Sequence, residues 1–151
     1  MRTTETRNYP IGKLCVVAED GYIVSIHLAD DDCICDDELV HDALNQLEEY
    51  FGGQRKAFSF KMKYSPCTAF QADVWDALQT IPYGKTVTYG ELAELSGHKG
   101  AARAVGNAVH KNNLLIAVPC HRVVAADGIG GFAHGVEMKK LLLDCETENS
   151  L

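Results

Sequence analysis

Apolar positions first recur at strand-like and then at helical spacing, and the change of period divides the chain into its predicted elements. In GKLCVVAEDGYIVSIHL two short strand-like runs flank Glu19-Asp20-Gly21, a turn signal that predicts a β-hairpin. In DDELVHDALNQLEEYF, Leu39, Ala43, Leu44, Leu47 and Phe51 recur at helical spacing. Asp36 and Asp37 suit the positive N-terminal end of that helix, and Gly52-Gly53 stops it. KAFSFKM is a further candidate strand, after which Ser65-Pro66 breaks the chain. The boundary falls there, giving an N-terminal domain over residues 1–66 and a second over 67–151.

The second half changes character. Thr68 can cap a helix whose Phe70, Val74, Ala77, Leu78 and Ile81 share one face, and IPYG ends it. Trp75, the only tryptophan, is expected to pack around that helix. TYGELAELSG and KGAARAVGNAVHK then read as two short helices joined by a glycine-containing turn, which is helix-turn-helix spacing. GAARAVGNAV is rich in side chains too small to read base edges, yet carries one long cation, Arg103. Small residues let a helix approach a groove closely, and a lone arginine can then reach into the base stack. The alternative is that the alanines pack in the core and Arg103 is a surface charge.

Composition narrows the class. The 151 residues, 46% hydrophobic and 23% charged, suit one globular domain or two small ones and argue against disorder. MRTTETRNYP has no apolar core and no cleavage-site pattern, and the longest apolar run, Leu114 to Pro119, is far too short to span a bilayer. A soluble, cytoplasmic protein is expected. In that setting the six cysteines are expected to be reduced thiols rather than a disulfide framework. Only Cys33 and Cys35 are close together and no second pair follows, so although His27 and His41 flank them, no metal is expected; thiols in a solvated acidic loop are the simpler reading.

The net charge of −7 argues at first against nucleic acid, but its distribution matters more than its sum. Residues 1–66 hold seven Lys and Arg against twelve Asp and Glu, whereas Leu95 to Ala126 contains Lys99, Arg103, Lys111 and Arg122 and no carboxylate. That window could face phosphate.

Within it lies IAVPCHRVV, which sets a cysteine beside a histidine after an apolar run. A thiol of pKa about 8.5 is only a few per cent thiolate at neutral pH, and the thiolate is the nucleophile. A nearby imidazole could take the proton. Adjacent residues of an extended chain point to opposite faces, so a turn or a bridging water is needed; on spacing alone an incidental Cys-His pair stays open.

IPYGKTVTYGELA, GAARAVGNAV, AVPCHRVV and GGFAHGVEMKKLLLDCE together resemble, in order and nearly in spacing, the O6-alkylguanine-DNA alkyltransferases, or methylated-DNA–protein-cysteine methyltransferases. The resemblance covers Phe70 to Glu146; earlier it is limited to PIGKL and the hairpin-plus-helix order. It implies an α+β fold, in which a small N-terminal sheet-plus-helix scaffold precedes a mainly helical, winged-helix-like domain. It also implies a monomer that flips a damaged guanine out of double-stranded DNA and moves its O6-alkyl group to one cysteine.

By resemblance that cysteine is Cys120, His121 is the base acting through a water, and Glu146 orients and charges the imidazole. Asn112 braces the turn, and Tyr89 donates a proton or hydrogen bond to the guanine ring. Arg103 fills the gap left by the flipped base, while Thr88, Tyr89, Ala102, Ala104 and Gly106 line the DNA. The base is read by Tyr89 and by groups near Cys120, Val123, Phe132 and Ala133. Phe132 stands where the family commonly has tyrosine, and DGIGGF looks about one residue short, which bears on pocket width. A thioether is not reopened by thiol exchange, so one turnover is expected. No nucleotide loop or HExxH motif is present, and no cofactor is implied. The competing readings are a damage-binding protein that transfers nothing and a helix-turn-helix regulator. A eukaryotic source would move the location to the nucleus.

Overall fold

A computed structural model describes residues 1–132 and 135–150. They divide into two compact units, Met1–Ser65 with Asn113–Ala117, and Pro66–Asn112 with the residues from Val118 onward. The fold is α+β as expected, with a sheet-plus-helix first unit and a mainly helical second one. The first unit also takes in a five-residue segment from late in the chain.

In the first unit, β1 (Arg2–Tyr9), β2 (Gly12–Glu19) and β3 (Tyr22–Leu28) form an antiparallel sheet in that order. The predicted hairpin is β2–β3. Asp20 and Gly21 both take positive φ, 52° and 85°, the two left-handed residues that suit the twist of a two-residue hairpin turn. A bulge opposite Val17/Ala18 lets Ile23 pair with Ala18 and Ile26 with Val16. It therefore puts two isoleucines three residues apart on one buried face, which regular alternation forbids.

Strand β1 was not predicted, because RTTETRNY has no apolar alternation. Its reason lies in the helix α1 (Glu38–Phe51), capped by Asp37, whose carboxylate accepts from Leu39 N at 2.9 Å. Thr3, Glu5 and Arg7, every second residue of β1, bond Asp37, His41 and Asn45, every fourth residue along α1. Two strand residues advance about 6.6 Å and four helical residues about 6 Å, so a polar strand and a polar helix edge stay in step. The buried face of α1 is centred on Val40, Ala43, Leu44, Leu47 and Tyr50; Leu39 and Phe51, expected inside, are only half-buried.

KAFSFKM is not a strand. Gln46 takes the Ser59 amide at 2.9 Å, and the Phe58 ring lies against Tyr50 and Phe60, so the segment is committed to side chains of α1. Only Met62 bridges the free edge of β3, with Ile23 N donating to Lys61 O at 2.9 Å. Farther along that edge, Ile26 N donates to Asn113 O at 2.8 Å and Leu115 N to Ile26 O at 3.0 Å. These bonds cover backbone groups that an edge strand otherwise exposes, and they hold the apolar run before Cys120.

In the second unit, α2 (Ala69–Leu78) opens with a capping box between Thr68 and Gln71. Trp75 is buried against α4 (Ala102–His110), donating from Nε1 to Ala108 O at 2.9 Å. α3 (Tyr89–Leu95) has its own capping box between Thr88 and Glu91. Strand β4 (Val87–Thr88) pairs in parallel with β5 (Val123–Val124), and α5 (Val136–Asn149) closes the described chain. No helix among the described residues is long and apolar enough to cross a membrane.

Candidate active site

Two tight turns shape the run that carries the thiol. Ile116 sits at φ 71° while Ala117 N donates to Leu115 O at 2.8 Å, a γ-turn with its central residue at positive φ. For a β-branched side chain this backbone is strained, and the burial of Ile116 holds it. At Pro119, φ −80° and ψ 68° with Cys120 N donating to Val118 O at 2.8 Å make an inverse γ-turn. Cys120–Arg122 then wind into one 3₁₀ turn, closed by Val123 N on Cys120 O. The Cys-His pair is thus not extended, and the objection that its side chains face opposite ways falls away.

Each residue of that turn is buried, and α5 supplies what its polar groups need. Glu146, 1% exposed, accepts from His121 Nε2 at 2.5 Å, from Arg122 Nε at 2.8 Å and Nη2 at 3.0 Å, and from Gly84 N at 3.1 Å. Arg122 Nη1 donates onward to Ile81 O at 2.7 Å. Burial would raise the Glu146 carboxyl, but the hydrogen bonds and charges of His121 and Arg122 outweigh it and hold the pKa at about 2. Burial in turn holds the His121 imidazole below its usual value despite Glu146. An ionised carboxylate only accepts, so Nε2 of the neutral ring carries the proton and Nδ1 keeps its lone pair. Nδ1 is buried and makes no hydrogen bond among the described residues.

Burial also dominates at Cys120, pushing the thiol up to about 11 against the opposing hydrogen bond of Asn112, backbone amides and the charge of Lys139. Burial therefore keeps the resting side chain as a thiol, and a nearby base is needed to take its proton. Asn112 Nδ2 also donates to Val118 O at 2.8 Å, bracing the turn. Tyr89 is half-buried, and burial, then the Cys120 charge, raise its hydroxyl so that it stays a donor. Its contact with Gly131 O is long, 3.5 Å. Gly130, at φ 76°, lies where an added Cβ would be 3.0 Å from Ala125 N and 3.5 Å from both the Tyr89 ring and Lys139 Nζ. A side chain there would intrude between these groups.

Of the residues expected at DNA, Arg103 and Ala104 are exposed on α4, while Val105, Ala108 and Val109 make its buried face. The alternative that these alanines all pack inside therefore fails at Ala104. Ala102 is half-buried, and Gly106 lies against the Tyr89 ring, 3.7 Å from where a Cβ would stand. The Thr88 hydroxyl is engaged in capping α3. Val123 is buried with its N–H spent on Cys120 O, Phe132 is half-buried, and Ala133 lies outside the described residues.

Arg122, expected among the cations that could face phosphate, is instead buried and spent on Glu146 and Ile81 O, and sequence reasoning missed Gly84 and Lys139. Lys139 is fully buried and donates to Gly131 O at 3.0 Å, and burial holds its ammonium below the usual value against the opposing influence of Cys120. One signal was available: Lys139, Leu142 and Glu146, spaced three and four apart, are the buried face of α5, so two charges occupy core positions of one helix.

Residues 3–64 match the ribonuclease-like domain of 6-O-methylguanine DNA methyltransferase, and residues 69–148 match its DNA binding domain. A methylated-DNA–protein-cysteine methyltransferase of Mycobacterium leprae is 37% identical over 94% of this chain and 90% of its own. One from Methanosarcina acetivorans is 45% identical over 77% and 74%. The crystal structure of Mycobacterium tuberculosis O6-methylguanine methyltransferase superposes with a TM-score of 0.89 at 36% identity, covering 99% of this chain and 94% of that one. The Mycobacterium tuberculosis OGT solved in complex with DNA superposes at 0.88, again at 36% identity, over 97% and 94%. With both halves matched in order and a buried Cys-His-Glu arrangement in the second, the chain belongs to the 6-O-methylguanine DNA methyltransferase family.

Proposed function

We propose that this protein repairs DNA by moving the alkyl group of O6-alkylguanine irreversibly to its own Cys120. The observation that carries this reading is the buried relay in which Glu146, fixed by Arg122, holds His121 with Nδ1 left as the base. The Cys120 proton passes through a water to His121 Nδ1, and Glu146 stabilises the imidazolium that forms. The sulfur forms a bond to the alkyl carbon as the carbon–O6 bond breaks, and the electron pair stays with the guanine. Tyr89 donates to the guanine ring as that charge develops, and Lys139 beside Cys120 favours the thiolate at the moment it is needed.

The partner is double-stranded DNA, a reading supported by a relative of the same fold that was solved in complex with DNA. The exposed Arg103 would fill the space of the flipped base, with Ala102 and Ala104 allowing close approach of α4 to the minor groove. Residues 67–151 would carry DNA binding and transfer, with residues 1–66 as scaffold. We place the protein in the cytoplasm, where reduced thiols persist, acting as a monomer without a cofactor.

The competing reading is a protein that binds alkylguanine and transfers nothing, and the relay built around Cys120 speaks against it. Intact mass decides between them. With excess duplex containing O6-methylguanine, the chain should gain one methyl group and no more; an unchanged mass on bound DNA would establish the binding reading instead.

A further inference from the structure

Outside the relay, the first unit brings a second set of reactive side chains together. Glu5 on β1, Cys35 in the acidic segment before α1, and His41 in α1 each offer one donor atom, and the three atoms lie within 4.8 Å of one another. We propose that these residues form a binding site for one zinc ion, with the Glu5 carboxylate, the Cys35 thiolate and the His41 imidazole as ligands and a water in the fourth position.

The three positions are fixed independently of any ion. Thr3 bonds Asp37 at 2.6 Å and Arg7 bonds Asn45 at 2.8 Å on either side of the Glu5–His41 pair. Thr6 N donates to Cys33 O at 3.1 Å and Cys33 N to Thr6 Oγ1 at 3.0 Å, while Cys35 N donates to Glu5 Oε1 at 3.1 Å. The acidic segment is thereby laid along β1 with its second cysteine at the histidine. Zinc holds sulfur at about 2.3 Å and nitrogen or oxygen at about 2.0–2.2 Å, so its ligands stand about 3.3–3.8 Å apart. The three donor atoms, within 4.8 Å of one another, would have to draw together by about 1 Å around the ion.

The donor set also selects the ion. Thiolate and imidazole favour zinc over magnesium or calcium, which take oxygen ligands. On binding, the thiol proton of Cys35 and any extra proton on His41 leave to solvent. The sequence argued against a metal because Cys33 and Cys35 lack a second pair. The missing ligand comes instead from a carboxylate thirty residues upstream, through the strand that patterning did not reveal.

Cobalt and zinc titrations of the reduced, full-length protein test the site. One equivalent of Co²⁺ should produce a thiolate-to-cobalt charge-transfer absorption, one equivalent of Zn²⁺ should abolish it, and zinc should raise the midpoint of thermal unfolding. Cys35→Ser keeps the Glu5–His41 pair and should fold, yet lose the absorption; Glu5→Gln should weaken binding, and Cys67→Ser, in the other unit, should leave it unchanged. Absence of the absorption in the native chain, or its persistence in Cys35→Ser, would overturn the proposal.

Discussion

Replacing Glu146 by glutamine is expected to lower stability at pH 7 by about 3 kcal/mol, because it strands a buried arginine. Arg122 and His121 both direct N–H groups at the carboxylate, and an amide returns only one acceptor oxygen to them. The amide NH₂ placed against His121 Nε2 favours the other tautomer, with the proton on Nδ1. The proposed base then becomes a donor, and transfer should slow by about 10² to 10⁴.

The pH dependence carries the sign of a depressed carboxyl. The Glu146 contribution is fully present above its ordinary value of 4.5 and fades as the pH falls toward about 2. Urea unfolding at pH 7 and pH 3 should therefore show a gap between native chain and variant that narrows with acid. A gap of the same size at both pH values, or none at pH 7, would remove Glu146 from the role described.

Arg103→Ala should slow repair of O6-methylguanine in duplex DNA by one to two orders of magnitude, roughly 1.4 to 2.7 kcal/mol of lost stabilisation. Arg103 is exposed on α4 and, among the described residues, shares no hydrogen bond or ion pair with the relay, so its loss should leave Cys120 chemistry intact. Its proposed work is to occupy the space of the extruded base, a step that costs a few kcal/mol of unstacking. Reaction with the free base O6-benzylguanine requires no flipping and should be much less affected. Equal losses on both substrates would mean that Arg103 shapes the pocket or the fold.

What was legible in the sequence was local. Asp20-Gly21 announces its hairpin and Thr68 announces its helix, because each signal and its consequence lie within a few residues. Strand β1 could not be read, since its polar residues are matched to α1 thirty-odd positions away and carry no period of their own core. The buried face of α1 was misplaced by one residue at each end for a related reason: Tyr50 turns inward to meet Phe58 from beyond the helix.

The site divides in the same way. Cys120, His121 and Glu146 were visible as candidates through motif resemblance, whereas the contacts of Gly84 and Arg122 with Glu146 and of Lys139 with Gly131 O arise only where separate segments meet. Within the run Leu141–Leu143 only Leu142 is fully buried, Leu141 is 54% exposed, and the rest of the buried face of α5 is Lys139 and Glu146. Charges at core positions signal function more than the apolar run beside them does.

One thiol of the six is expected to accept the alkyl group. Peptide mapping after reaction with duplex O6-methylguanine should place a single added methyl on the peptide containing Cys120 and none on those containing Cys15, Cys33, Cys35, Cys67 or Cys145. Methyl on another cysteine, or transfer that survives in Cys120→Ser, would contradict it.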